Sequence, residues 1–112
     1  MQDVATVNRY LSGYRVLLQH VQPFLKSHKA NRPFRVLDAA TGSADQPIAL
    51  VKLARRIGVP IHITAIDINA KMLKLAQGEV APYPEIQLVQ CDILSLPFQE
   101  DSFDLSVNSL SL

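Results

Sequence analysis

The chain has 112 residues, 48% of them hydrophobic and 19% charged, with a formal charge of +1. That length suits one compact domain with its own core, and that composition excludes a disordered tail. A near-neutral balance gives no sign of a polyanion-binding surface. One cysteine, Cys91, excludes an internal disulfide framework, and no paired Cys/His spacing suggests zinc. No apolar run reaches the roughly 18 residues that a membrane span needs, and the first residues lack a signal-peptide pattern. The default expectation is a soluble cytoplasmic protein with no membrane partner.

Residues 3–26 read as an amphipathic helix. Val4, Val7, Leu11, Tyr14, Leu18 and Val21 recur at spacings of three and four, which places them on one helical face. Pro23 is expected to end or kink that helix near Gln22. Tyr10 and Tyr14 are read as packing residues, with closure over a ligand as the alternative. The polar segment Ser27 to Pro33 is a linker, so residues 1–33 form an N-terminal helix and linker.

Arg35 to Ala39 follows as a short apolar strand of the kind covered on both faces, carrying a carboxylate at Asp38. A loop of small residues, Ala40-Thr41-Gly42-Ser43-Ala44, opens into a helix near Asp45 to Pro47, with Ser43 or Asp45 as candidate caps. Gly58 is a natural helix stop. Ile61 to Ile66 is a second strand, ending at Asp67. Asn69 caps the next helix, which Pro82 and Pro84 break. Glu85 to Cys91 is a third strand, ending at Asp92, and Phe103 to Asn108 is a fourth.

Strands alternating with helices predict a parallel α/β sheet with right-handed crossovers and flanking helices. Ligands bind such sheets outside the carboxyl ends of the strands, and Asp38, Asp67 and Asp92 each stand at the end of a different strand. Two ligand classes compete for that edge, a dinucleotide and S-adenosylmethionine. A pyrophosphate would be repelled by Asp38, and the full G-x-G-x-x-G pattern is absent. S-adenosylmethionine carries a sulfonium and an α-ammonium group, both positive. Asp67, 25 residues beyond Gly42, can accept from two ribose hydroxyls in either ligand. Charge favours the sulfonium.

With these residues in place, the chain resembles the N-terminal part of a class I S-adenosylmethionine-dependent methyltransferase with a small-molecule methyltransferase domain. VLDAATGSADQP resembles that family's glycine-rich first motif, and ITAIDINAKMLKLA its segment with the ribose-binding acid. VQCDILSLPFQEDSFDLSVNSL resembles the adenine-binding acid and the strand-four signature. The resemblance covers residues 34–112, read as the S-adenosylmethionine-binding half of the domain. It implies a Rossmann-like sheet with strand order 3-2-1-4, truncated after strand four of a seven-stranded family sheet.

The resemblance also implies roles. Asp38 would bind the methionine amino group, and the backbone of Ala40, Thr41, Gly42 and Ser43 would pass beneath the methionine. Asp67 would hold the ribose, and Ile68, with Met72 as a further candidate, would pack on adenine. Asp92 would accept from the adenine amino group, the Ile93 N–H would meet a ring nitrogen, and Asn108 would line the floor between cofactor and acceptor. Glycine is the family residue where Ala40 and Ala44 stand, and alanine disfavours a positive φ. No base can be named, and neither Cys91 nor any of His20, His28 and His62 is assigned to catalysis. Asp104 is read as structural.

Asn108-Ser109 does not resemble the (D/N)PP(Y/F) signature of amino-methylating DNA enzymes, so no nucleic-acid partner is expected. The implied activity is methyl transfer to an unidentified small molecule. Two alternatives stay open: a non-catalytic remnant that binds cofactor or a partner chain, and an NAD-type nucleotide-binding module. Ending after strand four would leave that strand as an unprotected edge, so a fragment or truncated product that self-associates there is expected.

Overall fold

A computed structural model describes residues 5–8, 13–39, 44–92, 94–95 and 102–108. The elements are β1 (Ala5–Asn8), α1 (Gly13–Lys26), β2 (Phe34–Ala39), α2 (Asp45–Ile57), β3 (Ile61–Asp67), α3 (Ala70–Val80), β4 (Ile86–Gln90) and β5 (Leu105–Asn108). All strand pairings are parallel, in the order β1-β5-β2-β3-β4. The four expected strands are β2, β3, β4 and β5, and they stand in the expected 3-2-1-4 order.

Strand alternation sorts the residues into two layers. Phe34 and Val36 of β2, Ile61, Ile63 and Ala65 of β3, Ile86 of β4 and Leu105 and Val107 of β5 point to the helices. There they pack with Val21 and Leu25 of α1, Leu50, Val51, Leu53 and Ala54 of α2, and Ala76 and Val80 of α3. On the opposite face Leu37, Ala39 and Ile66 form a smaller cluster with Val89, Cys91 and Phe103. Most side chains of β2 and β3 are buried on both faces, as their largely apolar sequences require.

The N-terminal region departs from expectation. Residues 3–26 are not one helix: Ala5–Asn8 is a strand, and α1 begins only at Gly13. Thr6 and Val7 are β-branched and lose rotamer freedom in a helix, so a strand suits them once an edge is available for pairing. That edge is β5. Ala5, Thr6, Val7 and Asn8 pair in register with Leu105, Ser106, Val107 and Asn108. The expected exposed edge on strand four is therefore occupied by β1 within the same chain.

Pro23 does not end α1, which continues to Lys26 with the proline inside its last turns. The Pro23 carbonyl still accepts from the Ser27 N–H at 3.0 Å, so only the bond that the missing proline N–H would have made is lost. Helix α2 starts from Ala44, whose φ of 68° is left-handed, and no side chain caps it. Asp45 is instead its first residue, and Ser43 lies outside the described residues. The left-handed conformation costs an alanine about 1 kcal/mol relative to glycine. Gly58 ends α2 at φ 86°, its N–H donating to the Ala54 carbonyl at 2.8 Å. Asn69 caps α3 by accepting from the Lys71 and Met72 N–H groups at 2.9 and 3.3 Å.

At the amino end of the sheet, Asp104 ties β5 to β2. Its carboxylate accepts a bidentate pair from Arg32 at 2.7 and 2.9 Å and the Arg35 N–H at 2.9 Å. The Arg35 guanidinium adds longer bonds at 3.4 and 3.3 Å. The Arg32 hydrogen bonds, helped by Arg35 against an opposing effect of burial, hold the Asp104 carboxyl far below the usual carboxylate range. Next to this cluster the His28 ring meets Phe34 edge-on at 5.4 Å, and its Nε2 lies 2.7 Å from the Arg32 carbonyl. His28 therefore packs the linker and stands at the opposite end of the strands from the three sheet-end acids.

Candidate functional site

The strand register places the acids. Asp38 pairs with Ala65, two residues before Asp67, and Asp67 pairs with Gln90, two residues before Asp92. With about 3.3 Å per residue along a strand and about 4.8 Å between strands, each acid stands roughly 8 Å from the next at the Cα level. The result is a slanted row along the carboxyl edge, suited to an extended ligand. Asn108, the last residue of β5, pairs with Ala39 at the same edge.

The three carboxylates sit in different surroundings. Asp38 is fully buried, and by alternation it faces the helix layer with Val36. Asp67 is half-buried, and its Oδ1 accepts from the Asn69 N–H at 2.9 Å. Asp92 is exposed, and its Oδ1 accepts from the Leu94 N–H at 2.9 Å while its carbonyl accepts from the Ser95 N–H at 2.9 Å. Both outer acids thus brace the turn that follows their strand. An ionised carboxylate has about four acceptor positions, enough in principle to serve a turn and a ligand at once. Gln90 Nε2 donates to the Ile68 carbonyl at 3.2 Å, fixing the turn after β3 against β4.

Beside Asp67, Ile68 is 63% exposed, a large apolar side chain at the rim of a polar edge. Met72, in the first turn of α3, is half-buried. Ala40, Thr41, Gly42, Ser43 and Ile93, expected to offer backbone contacts, lie outside the described residues, as does Tyr10. Cys91 is half-buried on the face away from the helices, and burial, with a smaller push from Asp92, raises its thiol above the usual value. A thiol so shifted is a poor nucleophile at neutral pH. Among the described residues no group of three or more His, Cys, Asp or Glu side chains is placed to hold a metal. No helix among them is long and apolar enough to cross a membrane.

One polar residue at this edge escaped the sequence reading. Gln46, in the first turn of α2, is fully buried, and neither its Oε1 nor its Nε2 has a hydrogen-bond partner among the described residues. Burial without a partner costs an amide about 1–3 kcal/mol. The available signal was a polar residue in the apolar stripe Gln46, Leu50, Leu53 and Ala54, at helical spacings of four, seven and eight.

The layered parallel sheet and its carboxyl-edge acids define the architecture of a Rossmann-like methyltransferase. The methyltransferase domain family matches residues 36–112, and the chain belongs to that family. The chain is 37% identical over 78 residues to a demethylmenaquinone methyltransferase of Lysinibacillus sphaericus, an alignment covering 69% of this chain and 32% of the relative. A Staphylococcus epidermidis protein of the same name is 32% identical over 91 residues, covering 81% of this chain and 35% of the relative. Among solved structures, the CurJ carbon methyltransferase superposes with a TM-score of 0.71 at 15% identity, over 83% of this chain and 25% of that one, a likeness of fold. The chain spans about a third of the length of the relatives it matches.

Proposed function

We propose that this chain binds S-adenosylmethionine along the carboxyl edge of its sheet, as the donor-holding part of a methyltransferase. The observation that carries the reading is the row of three acids with a buried carboxylate at its head. Asp38 disfavours a pyrophosphate in that place and suits a cationic group, which weighs against the NAD-type alternative. Its neighbours fit the remaining parts of the cofactor. Asp67 has the acceptor capacity for a ribose diol, Ile68 offers an apolar face to a purine, and Asp92 can accept from an exocyclic amine.

When bound, the cofactor supplies an electrophilic methyl group on a sulfonium. The residues of this chain bind and orient: Asp38 holds the α-ammonium, Asp67 fixes the ribose, and Ile68 and Asp92 hold the base. Holding the donor in one geometry is the larger part of what such a reaction asks of a protein. A base is needed only if the acceptor must lose a proton, and none of the described residues is assigned to that role. The acceptor is a small molecule, and the relatives named demethylmenaquinone methyltransferase favour a quinone-type ring.

Asp67→Ala tests the ribose assignment. Loss of hydrogen bonds to a charged acceptor is expected to cost about 2–3 kcal/mol, or roughly 30- to 150-fold in the Kd for S-adenosylhomocysteine by calorimetry. An unchanged Kd would remove Asp67 from the site.

A further inference from the structure

Gln46 carries an inference beyond the roles given to the three acids. Its place on α2 is one that an apolar residue would fill without cost, since Leu50, Leu53 and Ala54 continue the same stripe into the core. The side chain is instead an amide, fully buried, with no partner for donor or acceptor among the described residues. Buried polar groups are nearly always satisfied, and an exception calls for an explanation, of which a functional role is one. The surroundings say which ligand. The first turn of α2 follows the carboxyl end of β2, and Asp38 alternates onto the side of the sheet that packs against Ala44 and Leu50. Gln46 and Asp38 are therefore two fully buried polar side chains in one layer at one end of the sheet.

Resting on the cofactor reading above, we propose that Gln46 binds the amino-acid end of S-adenosylmethionine, its Nε2 donating to the α-carboxylate and its Oε1 accepting from the α-ammonium. Asp38 alone serves only half of that zwitterion: it attracts the ammonium and repels the carboxylate. A lysine or arginine at position 46 would answer the carboxylate but would pair with Asp38 and compete with the ammonium. A neutral amide supplies a donor without that competition.

Gln46→Met in the full chain tests this, with S-adenosylhomocysteine and methylthioadenosine, which lacks the amino-acid end, as probes. The ligand-free variant is expected to melt about 5 °C higher than wild type, because a buried amide with no partner among the described residues has been replaced by an apolar side chain of similar size. Its affinity for S-adenosylhomocysteine is expected to fall about tenfold, while that for methylthioadenosine stays within about twofold. Equal affinity of both proteins for S-adenosylhomocysteine, a parallel loss for both ligands, or a lowered melting temperature would each overturn the assignment. Wild-type protein that binds neither ligand would overturn the cofactor reading itself, and this assignment with it.

Discussion

Asp104 and Asp38 are both aspartates in or beside apolar strands, yet they stand at opposite ends of the sheet. Asp104 is satisfied by two arginines and a backbone N–H, and its side chain is only 9% exposed. Its carboxyl is held far below its usual range, chiefly by the Arg32 hydrogen bonds, so it favours the folded state wherever the unfolded carboxyl is ionised. That contribution is complete above the unfolded value of about 4 and is lost as pH falls below it. Asp104→Asn is expected to lose about 1–3 kcal/mol of unfolding free energy at pH 7, a range that allows for the partial exposure of both arginines. Denaturant titrations at pH 7 and pH 2.5 check this: the gap between variant and wild type is expected to narrow at the lower pH. A gap that stays constant would mean that the charge of the Asp104 carboxylate contributes nothing. The three sheet-end acids were legible in the sequence because each closes an apolar run. Gln46 left only the weak mark of a polar residue in an apolar helical stripe, because its burial without a partner among the described residues is a property of packing.

The helices and strands of residues 34–108 follow local signals that agree with the tertiary fold: Asn69 as a cap, Gly58 as a stop, and prolines after α3. The N-terminal region fails where local and tertiary signals part. A spacing of three and four through Val4, Val7, Leu11 and Tyr14 mimics a helical face, but four residues are too few to hold a period against a waiting strand edge. Pairing with β5 decides the matter, and sequence gives no notice of a partner about 100 residues away. Ala44 is a case of the opposite kind. Alanine does adopt the disfavoured positive φ there, because the buried start of α2 fixes the backbone. Since β1 covers the outer edge of β5, the full chain is not expected to associate through that strand. Removal of residues 1–8 is expected to leave the edge open and to give dimers or larger species in size-exclusion chromatography with light scattering. A shortened chain as monomeric as the full one would show that β1 does not protect the edge.

At the scale of the molecule, a parallel sheet brings three acids from three strands to one edge, and its register sets them about 8 Å apart. No helix or strand alone makes that row. It is a product of crossover topology. The most direct measurement is a calorimetric titration of the full chain with S-adenosylhomocysteine and, separately, with NAD. One-site binding of S-adenosylhomocysteine, at least about tenfold tighter than any binding of NAD, is the predicted result. NAD bound as tightly, or no binding of either, would contradict a carboxyl edge built around Asp38 for a cationic cofactor.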